Sequence, residues 1–577
     1  MRVRVRVRLG VLVSIGLFAA LSLYLCRPPA PRPASAPPEV FSAERALLHL
    51  RELARAPRPT GSAANREARE HILRALREEG LSPEVQEAQV AVSGWGRPIP
   101  GGVVRNIVAT LPGTGGGEGA RPLVLLVSHY DSVAVSPGAS DDGAAVAAML
   151  EALRALRAGP PLAGDVGFLF TDAEELGLAG AEPFVARHPL AKRAPVVLNF
   201  EARGASGPVY MFETSEGSGD LIEDLAASGA PVFANSLSAV VYRLMPNKTD
   251  FTIFRGRGLR GMSFAYIGGL RHYHSPSDTV ENLDKGSLQH HGEYMVGLAR
   301  RLAGAGGERL GSEGARSGGR DAIYFNPAGS IFVSYSSIWA LPLAGLSALA
   351  LGGAVLSGVR RKSLRLRRVF VGFYALLGSL FAAFGVVLLA WIAARALDNR
   401  FRPPLNHRAL DDGYYMLAVA LLAAGAAVLA GAVASRWARS AELMAGHLAG
   451  WLLISVVSAI WLKGGSHLAV WPLFFGAAGL YGLTFFSKEG EIASWKGAAV
   501  VTASAAPAVF LLVPTLNAVL LALSLAAAPA VAPLIALFFG LLWPCFAAVM
   551  GDRKFLAPAA LLAAGAILTA GRALIHP

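Results

Sequence analysis

The stretch VSHYDSVAVSPGASDDGAAVAAML, Val127 to Leu150, sets a histidine and three aspartates between an apolar run and an alanine-rich segment. Leu123 to Leu126 lead into it as four consecutive apolar side chains, and such a run bounded by polar residues reads as a buried strand. The acidic cluster then lies at a strand end. In an open α/β sheet ligands bind there, in the crevice beyond the carboxyl ends of the strands. Gly143 to Arg157 reads as the helix that follows.

The same order recurs along the first half of the chain. Val103 to Thr110, Val166 to Phe170 and Pro195 to Phe200 are further strand candidates. Ser62 to Glu79 reads as a helix, with Ser62 or Asn65 near its cap and Gly80 after its end; Leu221 to Ala227 and Ser287 to Leu302 follow. Alternating strand and helix patterns predict an α/β fold, a mixed, mostly parallel sheet flanked by helices. Three of the strands end in carboxylates: HYD after Ser128, TDAEE after Phe170 and EARG after Phe200.

Taken singly, each group has an ordinary explanation as a surface pair, a helix cap or a loop charge. Taken together they leave charges at apolar strand ends, where burial without a partner costs several kcal/mol. A metal pair accounts for all of them. His129 and Asp131 are two residues apart and share a face of extended chain; a carboxylate on the far ring nitrogen fixes the tautomer of a metal-binding histidine. Neighbouring Glu174 and Glu175 point opposite ways, so one can ligate while the other faces substrate. YHSPSD, Tyr273 to Asp278, adds a second histidine. The inventory is His129, Asp141, Glu175, Glu201 and His274. Nitrogen and carboxylate ligands without sulfur suit zinc. Five residues complete two sites only if one carboxylate bridges, and two ions ~3.5–4 Å apart form a hydrolase arrangement. Asp142, beside Asp141, leaves open which aspartate that is.

HYDS, GASDDG, DAEELGLAG, NFEARG and YHSPSD, in this order and spacing, resemble the co-catalytic di-zinc aminopeptidases, a family that also contains the endoplasmic reticulum metallopeptidase and vacuolar membrane protease. The resemblance covers roughly Ala43 to Ala305. It implies His129 and Glu201 on one zinc, Glu175 and His274 on the other, and Asp141 bridging. It also implies Glu174 as general base, Asp131 orienting His129, Tyr273 as a donor to the developing oxyanion, and a peptide with a free amino terminus as substrate. RPTGS, Arg58 to Ser62, and KTDFTIF, Lys248 to Phe254, look like family segments as well; Asp250 is expected either to support the site or to cap a helix. Soluble family members carry aspartate where this chain has Glu201, whereas the membrane-bound branch resembles it in having glutamate. Two other readings of the scaffold are an inactive, receptor-like binding module and a single-zinc cyclotransferase; the complete ligand inventory argues against both.

At 577 residues, 53% hydrophobic and mean hydropathy +0.45, the chain is too long for one ordinary domain and too apolar to be wholly soluble. MRVRVRVR precedes an apolar run from Leu9 to Leu25 with no A-x-A-like cleavage site after it, which reads as an uncleaved signal anchor over residues 1–26. A Pro/Ala-rich spacer, residues 27–42, leads to the zinc peptidase domain, 43–305. A glycine-rich linker, 306–330, then leads to a membrane domain, 331–577. Its expected spans are Ile331 to Leu356, Val369 to Ala394, Tyr414 to Ala434, Leu443 to Leu462, Leu468 to Phe486, Ala498 to Leu525, Ala530 to Met550 and Phe555 to Ala570. With the anchor that makes about nine, each near the ~20 residues a bilayer requires. Few ionisable residues interrupt them, which disfavours a transport path; His447, near a span end, is expected at the interface.

The formal charge of +13 is concentrated in MRVRVRVR and in RRKSLRLRR, Arg360 to Arg368. Both belong on the cytoplasmic side, which places the peptidase domain on the other. With the charge so explained, no nucleic-acid partner is expected. Only Cys26 and Cys545 are cysteines, so an exported domain carries no disulfide framework. That usage, with the arginine and alanine richness, suits a bacterial inner membrane with the active side in the periplasm; a vacuolar or reticulum membrane fits the same topology. Reporter fusions or cysteine labelling are expected to place residues near Ser206 outside and residues near Arg365 in the cytoplasm, and the opposite pattern would overturn orientation and compartment together.

Overall fold

A computed structural model describes residues 2–94, 97–115, 121, 123–193, 196–245, 247–304, 320–401, 413–486, 491–492, 495–551 and 553–575. The chain forms two units, one of Met1–Cys26, Pro327–Gly329 and Ser337–Pro577, the other of Arg27–Asn326 and Ser330–Ser336. Up to Ser336 the elements are α1 (Arg2–Leu25), α2 (Ala43–Leu53), α3 (Ala63–Glu78), β1 (Glu84–Gly94), β2 (Arg97–Leu111), β3 (Leu123–His129), α4 (Ala145–Ala158), β4 (Asp165–Thr171), α5 (Ala181–Arg187), α6 (Pro189–Lys192), β5 (Val196–Ala202), β6 (Tyr210–Thr214), α7 (Gly219–Ala226), α8 (Ser236–Leu244), α9 (Asp250–Gly256), β7 (Gly261–Tyr266), α10 (Lys285–Ala303), β8 (Ala322–Ala328) and β9 (Ile331–Ser336).

Seven strands make one mixed sheet in the order β1-β2-β4-β3-β5-β7-β6. Its centre, β4-β3-β5-β7, is parallel, and both edges are antiparallel. Central strands here are apolar on both sides, because helices cover both faces. Val124, Leu126, Phe168, Phe170, Leu198 and Phe200 pack with α2, α3, α4 and α10 in one core. The alternate residues Leu125, Val127, Leu169 and Val197 meet Phe184 of α5 and Phe251 and Phe254 of α9 in a second. The four strands expected from apolar runs are present; β1, β6 and β7 were not anticipated. β1, EVQEAQVAVSG, is an edge strand with many polar residues, and β6 and β7 are short, so none carries a long apolar run.

The helix expected from Ser62 begins one residue later. Ser62 Oγ accepts from Asn65 N at 3.1 Å as its cap, and Gly80, at φ 73°, follows its end. The proline-rich segment after Arg27 is not a free spacer. Arg32 N donates to Gln289 of α10 (3.0 Å), Ser42 Oγ to Arg32 O and Pro33 O, and Arg45 to Ala34 O and Ala36 O. Prolines lack N–H groups but keep their carbonyls, and arginines and serines of the domain take up those acceptors. Of the glycine-rich linker, residues 305–319 lie outside the described residues. Its last part is β8, which pairs with β9 in a two-stranded sheet, so Ile331 opens a strand instead of a membrane span.

Among the described residues of the other unit, seven helices are long and apolar enough to cross a membrane: Ser337–Arg360, Leu366–Leu397, Gly413–Ala434, Ser440–Trp461, His467–Phe486, Trp495–Leu523 and Leu556–Ile575. The expected span Ala530 to Met550 is broken: Leu525–Leu541 and Trp543–Met550 meet at 65°. Pro544, at the start of the second piece, has no N–H to continue the ladder. The apolar part of α1, Leu9–Leu25, is shorter than these, and Phe18 on it packs 5.9 Å from Phe510. Small residues bring helices together: a Cβ on Gly446 would meet Val369 O at 2.3 Å, and one on Gly372 would meet Leu443 O at 2.5 Å. His447 is buried, its ring facing Gly540 across a helix contact.

Gly292 on α10 faces Phe41, and a Cβ there would lie 2.1 Å from the phenylalanine ring. Gly292→Ala is expected to destabilise the α/β unit by about 1–3 kcal/mol through overpacking, read as a lowered midpoint in thermal or denaturant unfolding.

Candidate metal centre

Period-two alternation places the ligands. On β3 the residues facing the α5/α9 layer are Leu125 and Val127, and the next in that series is His129. On β4 the series Leu169 ends in Thr171, and on β5 Val197 leads to Asn199 and Glu201. β3 pairs in register with both neighbours, His129 opposite Thr171 and Val127 opposite Asn199. The apolar strands therefore end in polar groups on one face, at one level, at their carboxyl ends.

Two groups of three ligand atoms converge, His129 with Asp141 and Glu201, and Asp141 with Glu175 and His274; within each group the atoms lie within 4.8 Å of one another. Asp141 belongs to both. Its Oδ1 is 3.2 Å from His129 Nε2 and its Oδ2 is 3.1 Å from His274 Nε2. Glu201 Oε2 is 3.6 Å from His129 Nε2, and Glu175 Oε1 is 3.1 Å from His274 Nε2. The His274 and Glu175 atoms face each other without hydrogen-bond geometry. Donor atoms that converge in this way match the donor set of a metal site better than a hydrogen-bonded network.

The neighbouring carboxylates have different duties. Asp131 Oδ1 lies 3.3 Å from His129 Nδ1, and its two oxygens accept from Glu174 N (3.1 Å) and Glu175 N (3.3 Å), tying the β3 and β4 loops together. Asp142 turns away from both groups and accepts from His129 N at 3.3 Å. The peptide bond between Asp141 and Asp142 is cis. Glu174 joins neither group of three. It lies in a turn closed by Gly177 N and Leu178 N on its own carbonyl. Tyr273 stacks on His274, ring centroids 3.9 Å apart. His274 itself sits at φ 51°, a left-handed conformation costly for a non-glycine residue and found at sites the surrounding structure holds in place. Asp250 is the first residue of α9, not its cap; Thr249 holds that position, and Asp250 accepts from Thr171 Oγ1 beneath His129.

Burial dominates the electrostatics. It raises the Glu174 carboxyl well above its ordinary range, with Glu201, Asp250 and Glu175 adding to it and His129 opposing. Burial likewise pushes Glu201 up to about 8, against His129. On His274 burial acts downward, but the contacts with Asp141 and Glu175 win and raise it to about 10. Burial also raises the Tyr273 phenol, helped by Asp141, Glu175 and Glu174, so it stays protonated. A cluster in this state holds protons that an entering cation displaces, since ligands bind metal deprotonated.

Several supporting residues were not assigned from sequence. Asp278, the last residue of YHSPSD, accepts from Ser140 N (2.7 Å) and Asp141 N (3.2 Å) and so holds the Asp141 loop. Asn199 Nδ2 donates to Glu201 Oε1 at 3.1 Å. Asp172 accepts from Arg105 N, Thr60 Oγ1 and Asn65 Nδ2, joining RPTGS to the sheet. Burial raises the phenol of Tyr242 on α8, with Glu213, Glu201 and Glu174 adding to it. The local signal was that Asp278, Asp172 and Asn199 stand inside the quoted motifs; the partners of the two aspartates lie far away in the chain.

Residues 106–299 match the sequence model of Peptidase family M28. The chain is 34% identical over 224 residues to Endoplasmic reticulum metallopeptidase 1 of Rattus norvegicus, covering 38% of this chain and 25% of that protein. It is 31% identical over 281 residues to Vacuolar membrane protease of Yarrowia lipolytica (strain CLIB 122 / E 150), covering 44% of this chain and 28% of that protein. The matched part thus spans about a quarter of the length of these relatives. Among solved structures, the aminopeptidase from Aneurinibacillus sp. strain AM-1 aligns with 16% identity and a TM-score of 0.38, over 46% of this chain and 94% of that one. The likeness to metallopeptidases read from the motifs is borne out over the M28 segment.

Because Asp141 is common to both groups, Asp141→Ala is expected to abolish metal binding in metal analysis of the purified protein, whereas Asp142→Ala keeps it at reduced affinity. Retention of metal in the first variant, with loss in the second, would exchange the two assignments.

Proposed function

We propose that the α/β unit is a two-zinc aminopeptidase working on the non-cytoplasmic side of a membrane. The observation that carries this reading is the pair of ligand groups sharing Asp141, with a half-buried carboxylate, Glu174, left outside both. His129 and Glu201 would hold one ion, Glu175 and His274 the other, and Asp141 both. Zinc bound there supplies Lewis acidity and a nucleophile at neutral pH.

The rest is the work of the chain's own residues. Asp131 holds the His129 ring from its Nδ1 side, which sets Nε2 toward the ligand position. Glu174, with its affinity for a proton raised by burial, takes the proton of the attacking water and passes it to the leaving amine. Tyr273, kept protonated beside His274, donates to the oxygen of the scissile carbonyl as charge develops there. The substrate is a peptide with a free amino terminus, from which single residues are removed. The long apolar helices keep the enzyme in the bilayer, and Arg360 to Arg368 keep their turn in the cytoplasm.

Glu174→Gln keeps the size of the side chain but cannot accept a proton. Hydrolysis of a free-amine peptide is expected to fall ~10²–10⁴-fold with zinc content intact, and amino-terminal blocking of the peptide to abolish cleavage by the wild type. Unchanged activity in the variant would remove Glu174 from this role. Zinc binding without turnover of any member of a broad free-amine peptide library would leave a binding module instead.

A further inference from the structure

Arg58, from the RPTGS segment between α2 and α3, lies outside the M28 match and is 0% exposed. A fully buried guanidinium is expensive unless each of its donors is used. Here four hydrogen bonds, all to backbone carbonyls, take up most of them. Nε donates to Tyr130 O (2.7 Å), Nη2 to Gly138 O (2.8 Å), and Nη1 to Pro137 O and, more weakly, Leu53 O (3.5 Å). Tyr130 lies between His129 and Asp131, and Pro137 and Gly138 open the turn that carries Asp141. One planar fork therefore clasps the loop that follows His129 to the one that carries Asp141, the residue shared by both groups. Its main chain adds to the clasp: Arg58 N donates to Ser132 Oγ (2.9 Å), and Ser132 N to Arg58 O (3.3 Å).

The charge remains available to act at longer range, since these hydrogen bonds all end on carbonyls. Asp278, Asp131, Asp142 and Asp141 are the carboxylates whose field reaches it. The glycines of GASDDG make room for it: a Cβ on Gly143 would stand 3.0 Å from Nη2, and one on Gly138 3.1 Å from Nη1.

We infer that Arg58 is the positioning residue of the metal centre, a built-in cation that fixes the His129–Asp131 and Pro137–Asp142 loops relative to each other and offsets carboxylate repulsion before any ion enters. The inference rests on the two-zinc reading of the site. It touches neither substrate nor ligand atoms; it acts through Tyr130, Pro137 and Gly138.

The full-length protein in detergent, stripped and reloaded with zinc or cobalt(II), provides the test. Arg58→Lys keeps the charge but presents a single nitrogen that cannot reach both loops. It is expected to melt cooperatively, to bind zinc about 10–100-fold more weakly in chelator competition at both sites together, and to show an altered cobalt absorption spectrum. For Arg58→Ala, millimolar guanidinium is expected to restore affinity where equal ammonium does not. If both variants fail to fold, Ser132→Ala, which removes the acceptor for Arg58 N together with the Oγ donation to Ser136 O, is expected to weaken zinc binding several-fold. A folded Arg58→Lys, or failing that Ser132→Ala, with wild-type affinity and spectrum would overturn the inference while leaving the two-zinc reading intact. A wild type that takes up neither metal would overturn that reading, and this inference with it.

Discussion

The two oxygens of the Asp141 carboxylate face two different histidines, at 3.2 and 3.1 Å. Several neighbouring groups keep this side chain in place and ionised. Burial alone would favour its protonated form, yet His129 and His274 hold the carboxyl well below its ordinary range. The histidines in turn come from distant parts of the chain, one at the end of β3 and one after β7. Asp141 is thus the point at which the β3 strand end, the following loop and the YHSPSD segment are made to agree in position.

A concentration of carboxylates this dense would repel itself apart on its own. Three kinds of partner oppose that. Backbone N–H groups are the first: Asp278 accepts from Ser140 and Asp141, and Asp131 from Glu174 and Glu175. Arg58 is the second, fully buried and braced by carbonyls. Protons are the third; burial leaves Glu201, Asp250 and Asp278 with affinities raised to about 8, 6 and 6. A divalent cation replaces the third kind and adds to the first two, which couples metal uptake to proton release and to the stiffness of the loops.

The helical unit follows other rules. Its helices approach through glycines, at Gly372 and Gly446 and where Gly431 lies against Trp543, because between apolar helices in lipid close backbone packing is a main source of attraction. Charges gather at helix ends. Arg361 lies over the Phe485 ring at 4.2 Å, Arg436 over Phe555 at 4.9 Å, and Glu442 accepts from Arg365 N and Arg439 N.

Local pattern was sufficient for the strands with long apolar runs, for the polar groups at their ends and for the apolar helices, because periodicity and length are properties of neighbouring residues. It was also sufficient to nominate His129, Asp141, Glu175, Glu201 and His274, since a charge at an apolar strand end needs a reason that a few residues can state. It was not sufficient for β1, β6 and β7, whose pairing partners define them more than their own composition does. Nor was it sufficient for the break at Leu542, the burial of His447 or the docking of the proline-rich segment on α10. Tertiary structure alone decided that Asp141 and not Asp142 faces both histidines, that Glu174 stands outside both ligand groups, and that Arg58 and Asp278 brace the loops. Each of these is a contact between residues far apart in the chain, and its distance exists only once the sheet has set the strand ends side by side.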